Sequence, residues 1–259
     1  MIGLDVTSVA RASGQVPPPW NTRHCGPSGV PPALTLDFER GVYGQNRPEW
    51  AWPASLSFAR DGVKTVADRS GLSHEVSENT PAFDWSSGRR GLHCGVNGGA
   101  PDQLDLDLGT WWSGSGGAIV CDFTMTSTNG GFDRVFEING GLSAASRISL
   151  LYHQALGRFV LGVYDSGVAQ AVLTGPETAY SLGTTARVAV SFAADSFAIS
   201  VNGAAPLLQG AGALPSGLTK LFLAGSSATA NKPEIVLHAV THHTSPYVGS
   251  DLSGLSAVA

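Results

Sequence analysis

The sequence predicts an all-β protein, an antiparallel β-sandwich. Three observations carry that prediction. Extended segments recur at roughly 10–12-residue spacing with Gly and Asn turns between them. The chain has 33 glycines and 15 prolines, and only 14% of its residues are charged. That composition suits many turns and few solvated helix faces. No 3.6-residue apolar period appears before residues 250–259 (SDLSGLSAVA), which read as a short terminal helix.

Residues 1–33 have no periodic pattern long enough for a core element. Pro17–Pro19, Pro27, Pro31 and Pro32 favour an extended path and remove backbone donors. Trp20 and Cys25 are apolar anchors that a solvated tail does not need, so this segment is expected to be an arm that folds against partner chains. Residues 34–39 (LTLDFE) form a strand with Leu34, Leu36 and Phe38 on one side. Residues 34–101 as a whole read as a turn-rich β module, either separate from the sandwich or part of it. Residues 104–108 (LDLDL) alternate strictly.

The sandwich is expected over 102–259. Its strands are 118–127, 133–138, 147–153, 157–165, 168–175, 187–195, 196–203, 219–225 and 234–243. In the pair 187–203, Val188, Val190 and Phe192 share an inner face with Phe197, Ile199 and Val201. Asn202-Gly203 is the strongest hairpin-turn signal, because a type I′ turn needs positive φ at both central residues.

Several functions are excluded. The net charge is −5 with no basic run, so a nucleic-acid partner is not expected. No stretch of about 18 apolar residues exists, so no membrane insertion is expected. The start MIGLDVTSVARASG lacks the basic opening and apolar core of a secretory signal. Cys25, Cys94 and Cys121 are odd in number and irregularly spaced, a poor disulfide or metal framework. Cys121 alternates with Ile119, Phe123 and Met125 and reads as a buried small hydrophobe.

Glycoside hydrolysis needs a pair of carboxylates at a defined separation. Asp133 and Glu137 lie four residues apart on one strand, roughly 13 Å, too far for either hydrolase geometry. Both read as polar outer-face positions. Asp105 and Asp107, about 6.8 Å apart on one face, are part of a calcium site at most. His238 and His242 share a face of an ideal strand at about 13 Å, and His243 points away, so no metal set forms. No catalytic residue, metal or cofactor is expected, and the chain reads as a protein that is not an enzyme. The ligand-binding candidates are aromatic: Trp111 and Trp112 beside a Gly/Ser-rich loop, and more weakly Tyr152 at a strand end. An outward Trp stacks on a sugar ring or a partner chain; the competing reading is a structural Trp beneath a loop.

Two stretches carry a family resemblance. Within 55–92 the residues are Ser57, Phe58, Arg60, Val66, Asp68, Gly71, Asn79, Thr80, Pro81, Phe83, Asp84, Gly88, Arg90, Gly91 and Leu92. Within 187–225 they are Arg187, Val188, Ala189, Asp195, Phe197, Ala198, Ser200, Val201, Asn202, Gly203, Leu214, Pro215, Gly217, Leu218 and Leu223. The chain resembles tail-fibre and head-spike virion proteins of bacteriophages and phage-like particles that carry a concanavalin A-like, laminin-G-like jelly roll. It departs from them after Leu92, where HCGVNGGAP replaces their usual continuation. The resemblance implies a jelly-roll sandwich in a virion assembled in the host cytoplasm, without catalysis. The arm would contact other virion proteins, the chain would form a homo-oligomer such as a trimer, and the sandwich would adhere to host-surface glycan. Alternatives are an architectural capsid-decoration or tail-tip protein, and a carbohydrate-active enzyme or secreted lectin.

Overall fold

The computed structural model describes residues 26–27, 32–37, 42–45, 65–67, 75–78, 82–86, 89–94, 104–108, 111–141, 145–176, 179–225 and 233–258. Most of the expected arm and residues 55–64 of the resemblance lie outside them.

The expected architecture is present: two antiparallel sheets pack face to face, with one short helix. The strands of sheet A are β1 (Leu34–Asp37), β2 (Val42–Gln45), β5 (Ala82–Ser86), β6 (Arg89–Cys94), β8 (Gly117–Ser127), β13 (Thr185–Ala193), β14 (Ser196–Val201), β15 (Leu207–Gln209) and β17 (Glu234–His243). Sheet B holds β3 (Thr65–Ala67), β4 (Glu75–Glu78), β7 (Leu104–Asp107), β9 (Phe132–Asn139), β10 (Arg147–His153), β11 (Arg158–Asp165), β12 (Val168–Thr174) and β16 (Lys220–Leu223). Sheet A runs β15-β14-β13-β8-β17-β1-β2, with β6 also on β17 and β5 on β6. Sheet B runs β12-β11-β10-β9-β16-β7-β4-β3. Strands drawn from residues 34–94 therefore pair into both sheets of the sandwich.

Alternation sets the core. From sheet A, Ile119, Cys121, Phe123 and Met125 face inward beside Val188, Val190, Phe192, Phe197 and Ile199. From sheet B, Phe136, Ile138, Ile148, Leu150, Phe159, Leu161, Val163 and Leu221 meet them. The β13–β14 register pairs Val188 with Val201, Val190 with Ile199 and Phe192 with Phe197, as the alternation predicts. Asn202 and Gly203 both have positive φ, 50° and 78°, and the Ala204 N–H donates to the Val201 carbonyl at 3.0 Å to close the turn.

The outer face of sheet A is covered by α1 (Gly249–Ser256), whose Leu252 and Leu255 bury Val120, Ala189 and Ala198. Ser256 Oγ lies 2.7 Å from Ser200 Oγ and accepts the Gly203 N–H at 3.0 Å. The Arg187 Nε donates to the Leu255 carbonyl at 2.7 Å, fixing the helix end. Sheet B carries no such helix among the described residues.

Two β-bulges correct the ideal-strand geometry. On β9, Leu150 pairs with Phe136 and Leu151 with Arg134, so Val135 is an extra residue. On β17, Leu237 pairs with Phe123 and Ala239 with Asp122, so His238 is extra. Each bulge reverses the strand's alternation. Asp133 faces inward opposite Tyr152 while Glu137 faces outward, and both are fully buried rather than exposed outer-face residues. His238 and His242 fall on opposite faces instead of sharing one.

Candidate functional site on the outer face of sheet B

The outward residues of β9 are Phe132, Arg134, Glu137 and Asn139, those of β10 are Arg147, Ser149, Leu151 and His153, and those of β11 are Arg158, Val160, Gly162 and Tyr164. At the centre sits a buried polar cluster. Glu137 is 0% exposed, and each carboxylate oxygen already has a donor. Arg134 Nε donates to Oε2 at 2.8 Å and Asn139 Nδ2 donates to Oε1 at 2.6 Å. The Asn139 side-chain Oδ1 accepts the Gly141 N–H at 2.7 Å. A buried carboxylate is tolerated when charge pairing and hydrogen bonds replace its water, and both are present here.

Next to it, Ser149 Oγ donates to the Gly162 carbonyl at 3.2 Å. Gly162 lacks the side chain that would fill this position. A Cβ there would lie 3.2 Å from both Ser149 Oγ and the Tyr164 ring, so Tyr164 leans over the glycine. The Arg147 guanidinium stacks 4.0 Å from the centroid of that ring. At one margin Lys220 pairs with exposed Asp107 at 3.3 Å. At the other, exposed Phe132 meets His153 edge-on at 4.3 Å. The result is a sheet face with planar guanidinium, amide and carboxylate groups held rigidly beside partly exposed aromatic rings.

The residues singled out from the sequence lie elsewhere. Trp111 is 2% exposed, and Trp112 is half-buried. Both pack on His242 with centroids 5.2 Å away, and Trp112 also meets Phe192 at 5.5 Å. They form one aromatic cluster at an end of the sandwich, brought together by the β17 bulge that turns His242 inward. Tyr152 is 4% exposed and faces the interior, against Phe159 and Tyr180. It sits there because it alternates in phase with Ile148 and Leu150. Beside it, Asp133 accepts the Asn129 N–H at 3.1 Å through Oδ1, while Oδ2 has no partner. Burial raises the Asp133 pKa above the usual carboxylate value, and burial followed by the Asp133 charge raises that of Tyr152. Asp133 and Glu137 are on opposite faces and make no carboxylate pair. Among the described residues no group of three His, Cys, Asp or Glu is placed to hold a metal, and no helix is long and apolar enough to cross a membrane.

The outer-face site was missed because its members alternate out of phase with a simple strand. Arg134 and Glu137, three apart, share a face only through the Val135 bulge. Gly162 was the available signal, since an isolated glycine inside a strand marks a close approach.

No family model and no curated protein matches the chain. Solved structures do. A sialidase of Trypanosoma rangeli in complex with the inhibitor DANA aligns at a TM-score of 0.57 and 12% identity, over 92% of this chain and 36% of that one. The CBM40 of the Ruminococcus gnavus IT-sialidase, bound to alpha2,3 sialyllactose, aligns at 0.48 and 14% identity, over 56% and 83%. NanB sialidase of Streptococcus pneumoniae aligns at 0.48 and 10%, over 56% and 24%. The chain thus spans about a third of the trypanosomal enzyme. These neighbours correct two expectations. The virion resemblance is overturned, because the solved structure that aligns over most of the chain is a sialidase and not a phage fibre or spike protein. Among its matching residues, Val188, Phe197, Asn202 and Gly203 form core positions and a hairpin turn here. The expectation of a protein that is not an enzyme is overturned by the same finding, since the structure aligned over most of the chain is an enzyme, a sialidase.

Proposed function

We propose that this protein is a glycan-binding β-sandwich of the lectin or carbohydrate-active class, and that the outer face of sheet B around Tyr164, Gly162 and Arg134 receives the sugar. The observation that carries the reading is the juxtaposition of a buried, fully bonded polar cluster with the Tyr164 ring over a glycine. A sugar ring offers an apolar C–H face and in-plane hydroxyls. An aromatic ring covers the first, and the partly exposed Arg134 guanidinium bonds the second. Burial of Glu137 and Asn139 in advance means those groups lose little freedom when a ligand arrives.

The test is a glycan array with the full chain, followed by titration of the retained sugars. Tyr164→Ala is expected to weaken binding about tenfold while the melting temperature stays near that of the parent. Absence of retention of any glycan at concentrations up to about 1 mM would defeat the reading. Release of free sugar from the same ligands, followed in parallel, measures hydrolysis separately from binding.

A further inference from the structure

We infer that Asn129 is a site of covalent self-modification: the Gly130 backbone nitrogen displaces its side-chain amide and leaves aspartate or isoaspartate in the loop between β8 and β9. The inference is independent of the glycan-binding reading. Asn-Gly occurs at 97–98, 129–130, 139–140 and 202–203, and Asn97 lies outside the described residues. The dipeptide is the reactive unit because glycine has no Cβ to shield its nitrogen and tolerates the backbone angles of a cyclic intermediate. In the reaction Gly130 N bonds to Asn129 Cγ, and the Cγ–Nδ2 bond breaks. The Gly130 N–H proton passes to solvent base, and the amide nitrogen takes up a proton and leaves as ammonia. Water then opens the cyclic imide at either carbonyl, giving aspartate or isoaspartate. Water is consumed, ammonia is released, and no redox partner is needed.

The fold separates the three described sites. Asn139 is fully buried, with Nδ2 donating to Glu137 at 2.6 Å and Oδ1 accepting the Gly141 N–H at 2.7 Å, so its amide can neither turn nor meet water. Asn202 is exposed, but both of its reacting groups are held. Its Oδ1 accepts the Arg187 N–H at 2.8 Å, and the Gly203 N–H donates to Ser256 Oγ at 3.0 Å. Each such bond that must break before attack slows the reaction roughly fivefold. Asn129 is also exposed, and neither its side chain nor the Gly130 N–H makes a hydrogen bond among the described residues. Gly130 has a φ of 87°, and a Cβ there would meet nothing nearer than Gln154 Oε1 at 3.7 Å. A Cβ at Gly131 would meet nothing within 4 Å, so the loop has room to close the ring. The product matters to the fold because the Asn129 N–H donates to Asp133 Oδ1 at 3.1 Å, while buried Asp133 Oδ2 has no partner. Conversion sets a second carboxylate beside one that is already poorly solvated, and like charges at that range repel.

The experiment ages the full chain in mildly alkaline buffer, folded and, in parallel, unfolded in urea. Mass spectrometry follows the peptides that carry Asn129, Asn139 and Asn202, and chromatography separates the aspartate from the isoaspartate form. In urea all three are expected to convert at similar rates, because each presents the same dipeptide. Relative to those rates, Asn129 in the folded protein is expected to convert at least ~10-fold faster than Asn202, and Asn139 to stay intact. Asn129→Asp, which installs the product charge, is expected to lower Tm by about 2–4 °C. Conversion of folded Asn202 as fast as that of Asn129 overturns the inference. So does an Asn129 that stays intact in the folded protein while it converts in urea. An unchanged Tm in Asn129→Asp overturns the coupling to Asp133.

Discussion

Acid is expected to weaken the fold through His242. This imidazole is 1% exposed and wedged between Trp111 and Trp112, and neither ring nitrogen makes a well-aligned hydrogen bond, the Trp111 backbone being its nearest polar neighbour. Burial lowers its pKa to about 3, assisted by the neighbouring His243 charge and opposed by the Trp111 backbone. In the unfolded chain the same group titrates at its ordinary 6.5. Between those two values the unfolded state binds the proton and the folded state does not, so stability rises with pH across the window. One pKa unit corresponds to about 1.4 kcal/mol. The loss from pH 7.5 to pH 5 is therefore about 2 kcal/mol, growing toward roughly 5 kcal/mol below pH 3. Urea unfolding followed by tryptophan fluorescence measures it, since Trp111 and Trp112 pack on the titrating ring. Other groups also titrate, so the decisive quantity is a difference. His242→Leu should show about 2 kcal/mol less pH dependence between 7.5 and 5 than the parent. Equal pH dependence in the two proteins would refute the argument, because it would mean that His242 is protonated alike in both states.

Two further substitutions probe the packing. A Cβ at Gly91 would lie 2.5 Å from both the Leu237 carbonyl oxygen and Val236 Cγ1, so Gly91→Ala should cost about 3 kcal/mol and roughly 6–12 °C in Tm as β6 is pushed off β17. A thermal melt within about 2 °C of the parent would contradict that contact. Asp133→Asn removes a buried charge with one unpartnered oxygen and should stabilise by about 1 kcal/mol at pH 7. Because the folded pKa of Asp133 is raised, the folded state of the parent holds its proton more tightly. Its penalty therefore appears as pH rises above the ordinary carboxyl value of 3.8, and the gain from Asn should vanish in urea titrations near pH 3.5.

The sequence by itself determined the strands and most of their faces. The segment 147–153 and the segment 234–243 were delimited by alternation alone, and the β13–β14 pairing followed from Val188, Val190 and Phe192 against Phe197, Ile199 and Val201. Those features are local: side chains alternate within one strand, and Asn202-Gly203 carries its own turn conformation. Only the tertiary structure decided what depends on a partner strand. Whether Val135 and His238 bulge is set by the register against β10 and β8, and each bulge reverses which residues face the core. The short strand Leu207–Gln209 has no alternation of its own and exists because β14 pairs with it. The candidate site has the same origin. Arg134, Glu137, Ser149, Gly162 and Tyr164 come from three strands, and nothing in the sequence marks them as neighbours until the Val135 bulge and the ladder of sheet B bring their outward faces together.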